Sequence, residues 1–253
     1  MTLIDDTAIP LSAPANLRDL GGIPVAGGAV RRGFALRADD LSTIDEASAD
    51  ELVAAGLGAV IDLRSNDEVG FTGRGALGAR DVSYHHVPFM ASISDAGTGE
   101  DLHDQSRYGR MYIRIFEGSA HRVVEALAIL AHAPGTVAFH CSAGQDRTGV
   151  LAAALLLVLG ADADDIVADY ARTGENKPAM MVRLRPTIGR LMARMGVDLD
   201  AAAKAAGDAS FSPRPMRELI AHLTQEHGDP LRPLREAGLT DGLIARLRER
   251  ALA

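Results

Sequence analysis

The longest apolar stretch of the chain covers residues 150–159, and a shorter β-branched apolar run covers residues 136–139. The long stretch predicts a buried helix that begins near Arg147, and the short run predicts a buried strand. The polar segment between them therefore lies after the carboxyl end of a strand and at the amino end of a helix. This position makes residues 140–149 the most informative segment of the sequence.

Upstream of that segment, helical and strand patterns alternate. The predicted helices and strands are a helix over 47–55, a strand over 59–64, a strand over 82–89 and one or two helices over 110–133. Glycines and charges predict loops over 66–81 and over 91–106, the second a mobile loop near the site.

From Asp162 onward no strand pattern is convincing. Helices are predicted over 166–173, 179–195, 215–227 and 241–251, separated by glycine, proline and serine. Helices that alternate with strands predict an α/β fold with a central, largely parallel sheet flanked by helices and followed by a helical C-terminal part. We expect residues 1–253 to form a single domain.

Composition fits such a domain. The chain has 253 residues, 47% of them hydrophobic, and a net charge of −8, which argues against a nucleic-acid-binding surface. Residues 150–159 are too few to cross a bilayer, which needs ~20 residues. Asp5 and Asp6 break the basic-then-apolar order of an export signal, so we expect a cytoplasmic protein, with export by a signal-less route left open.

The chain has a single cysteine, Cys141, which excludes internal disulfides and fits a reducing compartment. The amino end of the predicted helix and the neighbouring Arg147 favour its thiolate, the nucleophilic form. If Cys141 were only a small core residue, neither Gly144 nor the polar cluster around it would be explained.

The other residues of the segment suit a tetrahedral phosphate group. Arg147 has the planar guanidinium that binds two phosphoryl oxygens. Backbone N–H groups at the helix start can bind the rest of the dianion, and they belong to Ser142, Ala143, Gly144, Gln145 and Asp146. His140 is expected to orient the loop through a backbone carbonyl, and Thr148 to donate its hydroxyl to the sulfur.

His140-Cys-x5-Arg-Thr-Gly resembles the signature of the cysteine-dependent protein tyrosine phosphatase superfamily, and Cys-Ser-Ala-Gly-Gln-Asp-Arg resembles its bacterial tyrosine and lipid phosphatase branch. The likeness extends over most of the chain in ordered blocks, which begin at Asn16, Arg32 and Val60. It implies a phosphatase fold, a cysteinyl-phosphate intermediate, no metal and no cofactor. It also implies a helical lid within about 176–212, where four methionines lie at helical spacings; ordinary core methionines are the alternative.

The resemblance implies a general acid held in the loop itself, which is Asp146, with Asp62 as the second candidate. The tryptophan-proline-aspartate loop that supplies this acid in many relatives is excluded, because the chain has no tryptophan. Asp146 has the alternative role of an acidic residue favoured by the helix dipole, and Asp62 the alternative of an ion pair with Arg64. For residues 16–22, bracing of the loop is favoured over direct chemistry by Arg18 or Asp19, and a purely structural turn with two glycines is the alternative.

The resemblance implies broad action on phosphotyrosine, sometimes phosphoserine, phosphothreonine and phosphoinositides. Relatives with lipid activity usually carry a lysine where this chain has Gln145, so polyanionic headgroups are doubtful substrates here. The expected partner is a phosphorylated protein or a small phosphomonoester. The alternatives are a small-metabolite phosphatase, a sulfurtransferase and a phosphate-binding module without turnover, and the sequence gives no indication of oligomeric state.

No metal site is predicted. His85 and His86 are adjacent on a predicted strand and face opposite sides, and His103-Asp104 has no companion ligands nearby in the sequence.

Overall fold

The computed structural model describes residues 9–90, 105–194 and 211–252. Its main sheet has five strands in the order β1-β4-β7-β5-β6. These strands are β1 (Arg18–Asp19), β4 (Ala35–Ala38), β5 (Leu57–Asp62), β6 (Ser83–His86) and β7 (Thr136–His140). Only the edge strand β1 pairs antiparallel, and the other pairings are parallel, which confirms the predicted sheet. A small antiparallel pair is formed by β2 (Pro24–Val25) and β3 (Gly28–Ala29).

Nine α-helices lie within the described residues. They are α1 (Glu46–Ala54), α2 (Asn66–Thr72), α3 (Gln105–Gly118), α4 (Ala120–His132), α5 (Asp146–Leu159), α6 (Ala163–Arg194), α7 (Arg214–His227), α8 (Arg232–Glu236) and α9 (Asp241–Leu252). None of these helices is both long and apolar enough to cross a membrane.

Alternate residues of the central strands enter two separate hydrophobic clusters, because successive side chains in a strand point to opposite faces. Ile61 and Phe139 join the large cluster with α3, α4, α5 and the C-terminal helices. Val60 and Ala138 join the smaller cluster beside α1. Helix α5 is buried almost all round, as its uniformly apolar sequence requires. Residues of the C-terminal helices belong to the large cluster. This agrees with the expected single domain, which stays a prediction.

Two sequence-based predictions were wrong. Residues 66–81 are not a loop: Ser65 caps α2 by accepting from the Glu68 N–H while the Glu68 carboxylate accepts from the Ser65 N–H, and a 3-10 helix (Gly75–Ala79) follows. The predicted break between the helices 166–173 and 179–195 is also absent, because α6 continues through Pro178.

Two further predictions fall partly on residues that are not described. Residues 91–104 of the predicted mobile loop over 91–106 lie outside the described residues, and α3 begins at 105. Of the predicted lid, residues 176–194 belong to α6 and residue 211 onward is again described. The lid therefore stays a prediction.

Candidate active site

The carboxyl ends of three parallel strands meet beside Cys141. In the sheet register His140 lies opposite Ala38 on one side and opposite Asp62 on the other. The Leu63 N–H donates to the His140 carbonyl at 2.9 Å, and the Asp40 N–H donates to the Ser142 carbonyl at 3.0 Å. The loop of residues 141–147, called the phosphate loop below, is thus attached to both neighbouring strands.

Gly144 lies where the phosphate loop passes closest to β4. Its φ of +68° is a left-handed conformation that favours glycine. A Cβ at this position would lie 2.5 Å from the Ala38 carbonyl oxygen and 2.7 Å from the Asp39 nitrogen. Both the backbone conformation and the close approach therefore require a glycine here.

The outer side of the phosphate loop is held by side chains from the N-terminal segment and β4. Asn16 Nδ2 donates to the carbonyls of Ala143 and Gly144 at 3.3 and 3.2 Å. An Arg37 terminal nitrogen donates to the same Gly144 carbonyl at 2.9 Å. Asn16 thus contacts the loop directly, as the bracing hypothesis for this segment requires.

A buried ion-pair cluster supports these bracing residues. Asp169 of α6 accepts from Arg18 Nε at 2.8 Å and from Arg37 at 2.5 Å. Burial favours the protonated carboxyl, but the two guanidinium groups outweigh it and lower the pKa of Asp169. Burial, and then the charge of Arg37, lower the pKa of Arg18 to about 10, which leaves it charged at neutral pH. Asp169 thereby ties α6 to the strand behind the phosphate loop.

Arg147 is held in place by Glu68 of α2. Its two terminal nitrogens donate to the two carboxylate oxygens at 2.6 and 2.8 Å, in the two-point geometry typical of an arginine-carboxylate pair. The Ser142 hydroxyl donates to the same carboxylate. Glu68 therefore links Ser142, near the start of the phosphate loop, to Arg147 at its end.

The Glu68–Arg147 pair is charged throughout the usual pH range. Burial favours protonated Glu68, but Arg147, Ser142 and the Ser65 N–H overcome this effect and lower the pKa of Glu68 to about 2. Burial likewise opposes the guanidinium, and the Glu68 carboxylate outweighs it and raises the pKa of Arg147. An arginine has five N–H donors, so this pair leaves others for an anion.

Asp146, the first residue of α5, is only partly buried. Its Oδ1 accepts from the Tyr112 hydroxyl at 2.6 Å and from Gln145 Nε2 at 3.2 Å. The Tyr112 and Tyr170 hydroxyls are 2.7 Å apart, so Tyr170 is the donor in that pair when Tyr112 donates to Asp146. Loss of hydration raises the pKa of Asp146 despite these donors and the nearby Arg147. A carboxyl that retains its proton to higher pH is suited to general acid catalysis.

Asp62, the second acid candidate, is fully buried and surrounded by donors. Arg64 binds it through its backbone N–H and its guanidinium, with the shortest contact at 2.6 Å, and the Tyr84 hydroxyl donates at 2.8 Å. Burial opposes the charged form, but His140 and Arg64 hold the pKa of Asp62 well below its usual range. The structure therefore shows the Arg64 ion pair that the sequence left open as an alternative.

Cys141 is 1% exposed, at the start of the phosphate loop. His140 Nδ1 lies 3.2 Å from the Cys141 carbonyl and 3.3 Å from the Leu41 nitrogen, so it donates to the former in one tautomer and accepts from the latter in the other. The buried Thr148 hydroxyl has no hydrogen-bond partner among the described residues, so the predicted bond to the sulfur is not formed in this structure.

The histidines that the sequence singled out have the following places in the structure. His86 Nε2 lies 2.7 Å from the Arg64 carbonyl, which gives the ring an ordinary backbone hydrogen bond. His103 and Asp104 lie outside the described residues.

The sequence analysis missed Glu68, Tyr112 and Tyr170. The Ser65-x-x-Glu68 spacing is the capping signature of a helix start and could have revealed α2. Nothing in the local sequence indicates that Glu68 reaches Arg147 or that Tyr112 reaches Asp146, because these pairs are separated by 79 and 34 residues.

Comparison with known proteins identifies the family. A model described as the tyrosine phosphatase family matches residues 9–253. The chain belongs to the tyrosine phosphatase family. It is therefore a hydrolase of phosphomonoesters, and the resemblance seen in its sequence is confirmed.

Three similar bacterial proteins are named as phosphatases, one of them putative. Triple specificity protein phosphatase PtpB of Mycobacterium tuberculosis is 30% identical over 200 residues, which are 68% of this chain and 71% of that protein. A putative tyrosine-protein phosphatase of Cupriavidus necator is 32% identical over 172 residues, or 64% of this chain and 61% of that protein. A tyrosine-protein phosphatase of Nostoc commune is 34% identical over 143 residues, or 54% and 47% of the two chains.

Proposed function

We propose that the protein hydrolyses phosphomonoesters through a cysteinyl-phosphate on Cys141, with phosphotyrosine as its main substrate class and no metal or cofactor in the chemistry. The observation that carries this proposal is the arrangement around the phosphate loop. Three groups lie at or just before the amino end of α5. They are the single cysteine Cys141, Arg147 fixed by Glu68, and the partly exposed carboxyl of Asp146 with its raised pKa. Phosphatase relatives favour this function over the sulfurtransferase and binding-module alternatives.

In the first step the Cys141 thiolate attacks phosphorus, and the bond to the ester oxygen breaks. Asp146 gives its proton to the departing oxygen, so an alcohol or phenol leaves and Asp146 becomes a carboxylate. The loop N–H groups of residues 142–147 and the Arg147 guanidinium bind the phosphoryl oxygens as charge spreads over them. The buried Thr148 hydroxyl has no partner among the described residues, and in our proposal it turns to donate to the Cys141 sulfur when the thiolate is released.

In the second step water attacks the phosphocysteine. Asp146 takes a proton from this water, the sulfur–phosphorus bond breaks, and inorganic phosphate leaves with the thiolate restored. Asp62 does not share this role in our proposal, because its carboxylate is fully engaged by Arg64 and Tyr84. Asp62 instead fixes Arg64, which also donates to Asp40 and Ser42 after β4.

The substrate carries a single phosphate in our proposal. Gln145 is neutral and donates to Asp146, so the loop lacks the second cation that would hold another phosphate. A relative named as a triple specificity protein phosphatase supports action on more than one substrate class. We therefore expect phosphotyrosine peptides to be turned over faster than phosphoserine peptides, and both faster than inositol lipids with several phosphates.

The test is turnover of an aryl phosphate by the parent and by Cys141→Ser. We expect turnover to survive a chelator, to be blocked by vanadate and to be lost in Cys141→Ser, because a serine hydroxyl is a far weaker nucleophile than a cysteine thiolate. Trapping of radiolabelled phosphate on the parent at acidic pH would report the intermediate. Turnover that persists in Cys141→Ser and stops with the chelator would overturn the proposal.

A further inference from the structure

Helices α3 and α7 bring three potential metal ligands together away from the phosphate loop. Glu117 lies near the carboxyl end of α3, and His222 and His227 lie on the last part of α7. The Nε2 atoms of both histidines are 2.9 Å from the same oxygen, Oε1 of Glu117. All three ligand atoms lie within 4.8 Å of one another.

The environment of these residues suits an ion that arrives from solvent. The side chains are 34%, 31% and 24% exposed for Glu117, His222 and His227, so each can be reached without opening the fold. The two imidazole rings are nearly perpendicular, at 85°, with centroids 6.2 Å apart. Their Nε2 atoms converge on one carboxylate oxygen from different directions, as ligands around one centre do.

Two imidazole nitrogens and one carboxylate oxygen are a known ligand set of zinc sites that have three protein ligands. Zinc lies about 2.0 to 2.1 Å from such atoms in a tetrahedral arrangement, which places neighbouring ligand atoms ~3.3 Å apart. The two observed nitrogen-to-oxygen separations of 2.9 Å need only small side-chain adjustments to meet this value. Imidazole selects transition metals over Mg²⁺ and Ca²⁺, which prefer oxygen ligands.

We propose that Glu117, His222 and His227 form a binding site for a divalent transition-metal ion, Zn²⁺ or one of similar chemistry, with water as the remaining ligand. The ion would join α3 to α7. These helices already pack closely, since a Cβ on Gly109 would lie 3.1 Å from the Glu218 Cβ. Because α3 also carries Tyr112, the ion fixes the helix that holds the Asp146 donor. Its role is structural, and hydrolysis at Cys141 does not use it.

The experiment uses the full chain in a Cys141→Ser background, so that the active-site thiolate cannot bind the metal. After treatment with a chelator, Zn²⁺ binding is measured by calorimetry, and Co²⁺ binding by its visible absorption. We expect one ion per chain and the strong visible bands of tetrahedral Co²⁺. At Zn²⁺ about 100-fold above the dissociation constant, the melting temperature should rise by about 5 to 10 °C.

Variants separate this site from adventitious binding. His222→Ala removes a ligand, and Glu117→Gln keeps a hydrogen-bond acceptor while removing the charge; both should lose the Zn²⁺-dependent shift and bind at least about tenfold more weakly. His132→Ala, which removes an exposed histidine at the end of α4, is the matched control and should keep the shift. A parent that binds no stoichiometric ion, or a His222→Ala variant with an undiminished shift, would overturn the proposal.

Discussion

At the scale of single residues, the local part of the site could be predicted and the long-range part could not. Cys141, Asp146 and Arg147 lie within one strand-loop-helix segment, so their chemistry follows from spacing and from the apolar runs on either side. The partner of Arg147 is Glu68, 79 residues away. Charge alone cannot select it, because the chain has 34 acidic residues. Only the fold shows which of them is buried beside the guanidinium.

Glu68→Gln tests the importance of this partner. The amide retains the shape but accepts through one oxygen only, so Arg147 loses its fixed two-point orientation; we expect kcat/KM for an aryl phosphate to fall ~10- to 100-fold. The assay is a Michaelis series at neutral pH, where the parent pair is fully charged. Asp67→Asn, an exposed neighbour on the same helix, is the matched control. A Glu68→Gln rate within twofold of the parent would show that Arg147 does not need this support.

Asp146→Asn tests the general acid. A good leaving group barely needs a proton, so the variant should slow alkyl phosphates far more than aryl phosphates with acidic phenols. Activity that depends on protonated Asp146 falls as pH rises through its raised pKa, and the variant should lose that decline. Equal losses on both substrate classes would mean that Asp146 only positions the loop.

Asp62→Asn is the companion measurement. Its parent carboxylate is held ionised by His140 and Arg64, which lower its pKa, so we expect no selective loss on alkyl phosphates. A leaving-group dependence in this variant, absent from Asp146→Asn, would transfer the acid role to Asp62.

At the scale of secondary structure elements, the sequence-based predictions succeeded where one face or the whole surface of an element is apolar. Strand β7 and helix α5 are nearly fully buried, and their apolar runs are continuous. Helix α2 was missed because its Gly70 and charges resemble a loop, although a capping box begins it. Helix α6 was divided by prediction at Pro178, since proline in a helix costs ~3 kcal/mol. In the structure α6 continues past Pro178 and makes tertiary contacts there, which no local sequence pattern reveals.

Arg183 makes several of those contacts. Its guanidinium binds Asp39 at 2.7 Å, the Asp40 carbonyl at 2.9 Å and the Thr43 hydroxyl at 2.9 Å, and it also reaches Ser12. These groups belong to the N-terminal segment and to the turn after β4. The arginine therefore fastens α6 to the strand end that supports the phosphate loop.

Arg183→Met should destabilise the fold by about 2 to 4 kcal/mol, because it leaves a largely buried Asp39 carboxylate without its cation while keeping the apolar stem. Urea unfolding at pH 7 measures this difference. Val182→Ala, at a neighbouring position that is 75% exposed, is the control and should change stability by less than about 0.5 kcal/mol. An Arg183→Met variant as stable as this control would show that α6 is held by other contacts.

At the scale of the whole molecule, the sheet separates two hydrophobic clusters, while its carboxyl edge collects buried charges. Asp62, Glu68 and Asp169 are all buried there, and each is paired with arginine. A buried carboxylate is stable only while its partner is present, so the same pairs that shape the site link its integrity to that of the fold. The architecture was predictable from periodicity, but this concentration of paired charge follows from which strand ends become neighbours.

These pairs predict how stability depends on pH. The three carboxyls have folded pKa values below their ordinary 3.8 for Asp and 4.5 for Glu, so their stabilising effect is complete above those values and is lost as pH falls toward the folded ones. We expect little change in their contribution from pH 8 to about 5 and a steep loss of stability below about 4.5. Urea midpoints across this range measure it.

Glu68→Gln provides the sharper test of that linkage. The substitution removes a carboxyl that takes up one proton when the protein unfolds in acid. Between pH values equal to the folded pKa of Glu68, about 2, and its ordinary pKa of 4.5, the slope of unfolding free energy against pH should therefore decrease by up to about 1.4 kcal/mol per pH unit. Asp67→Asn should leave that slope nearly unchanged, because its parent side chain is exposed. If both variants retain the parent slope, the unfolding of this protein in acid is not governed by the carboxylate that positions Arg147.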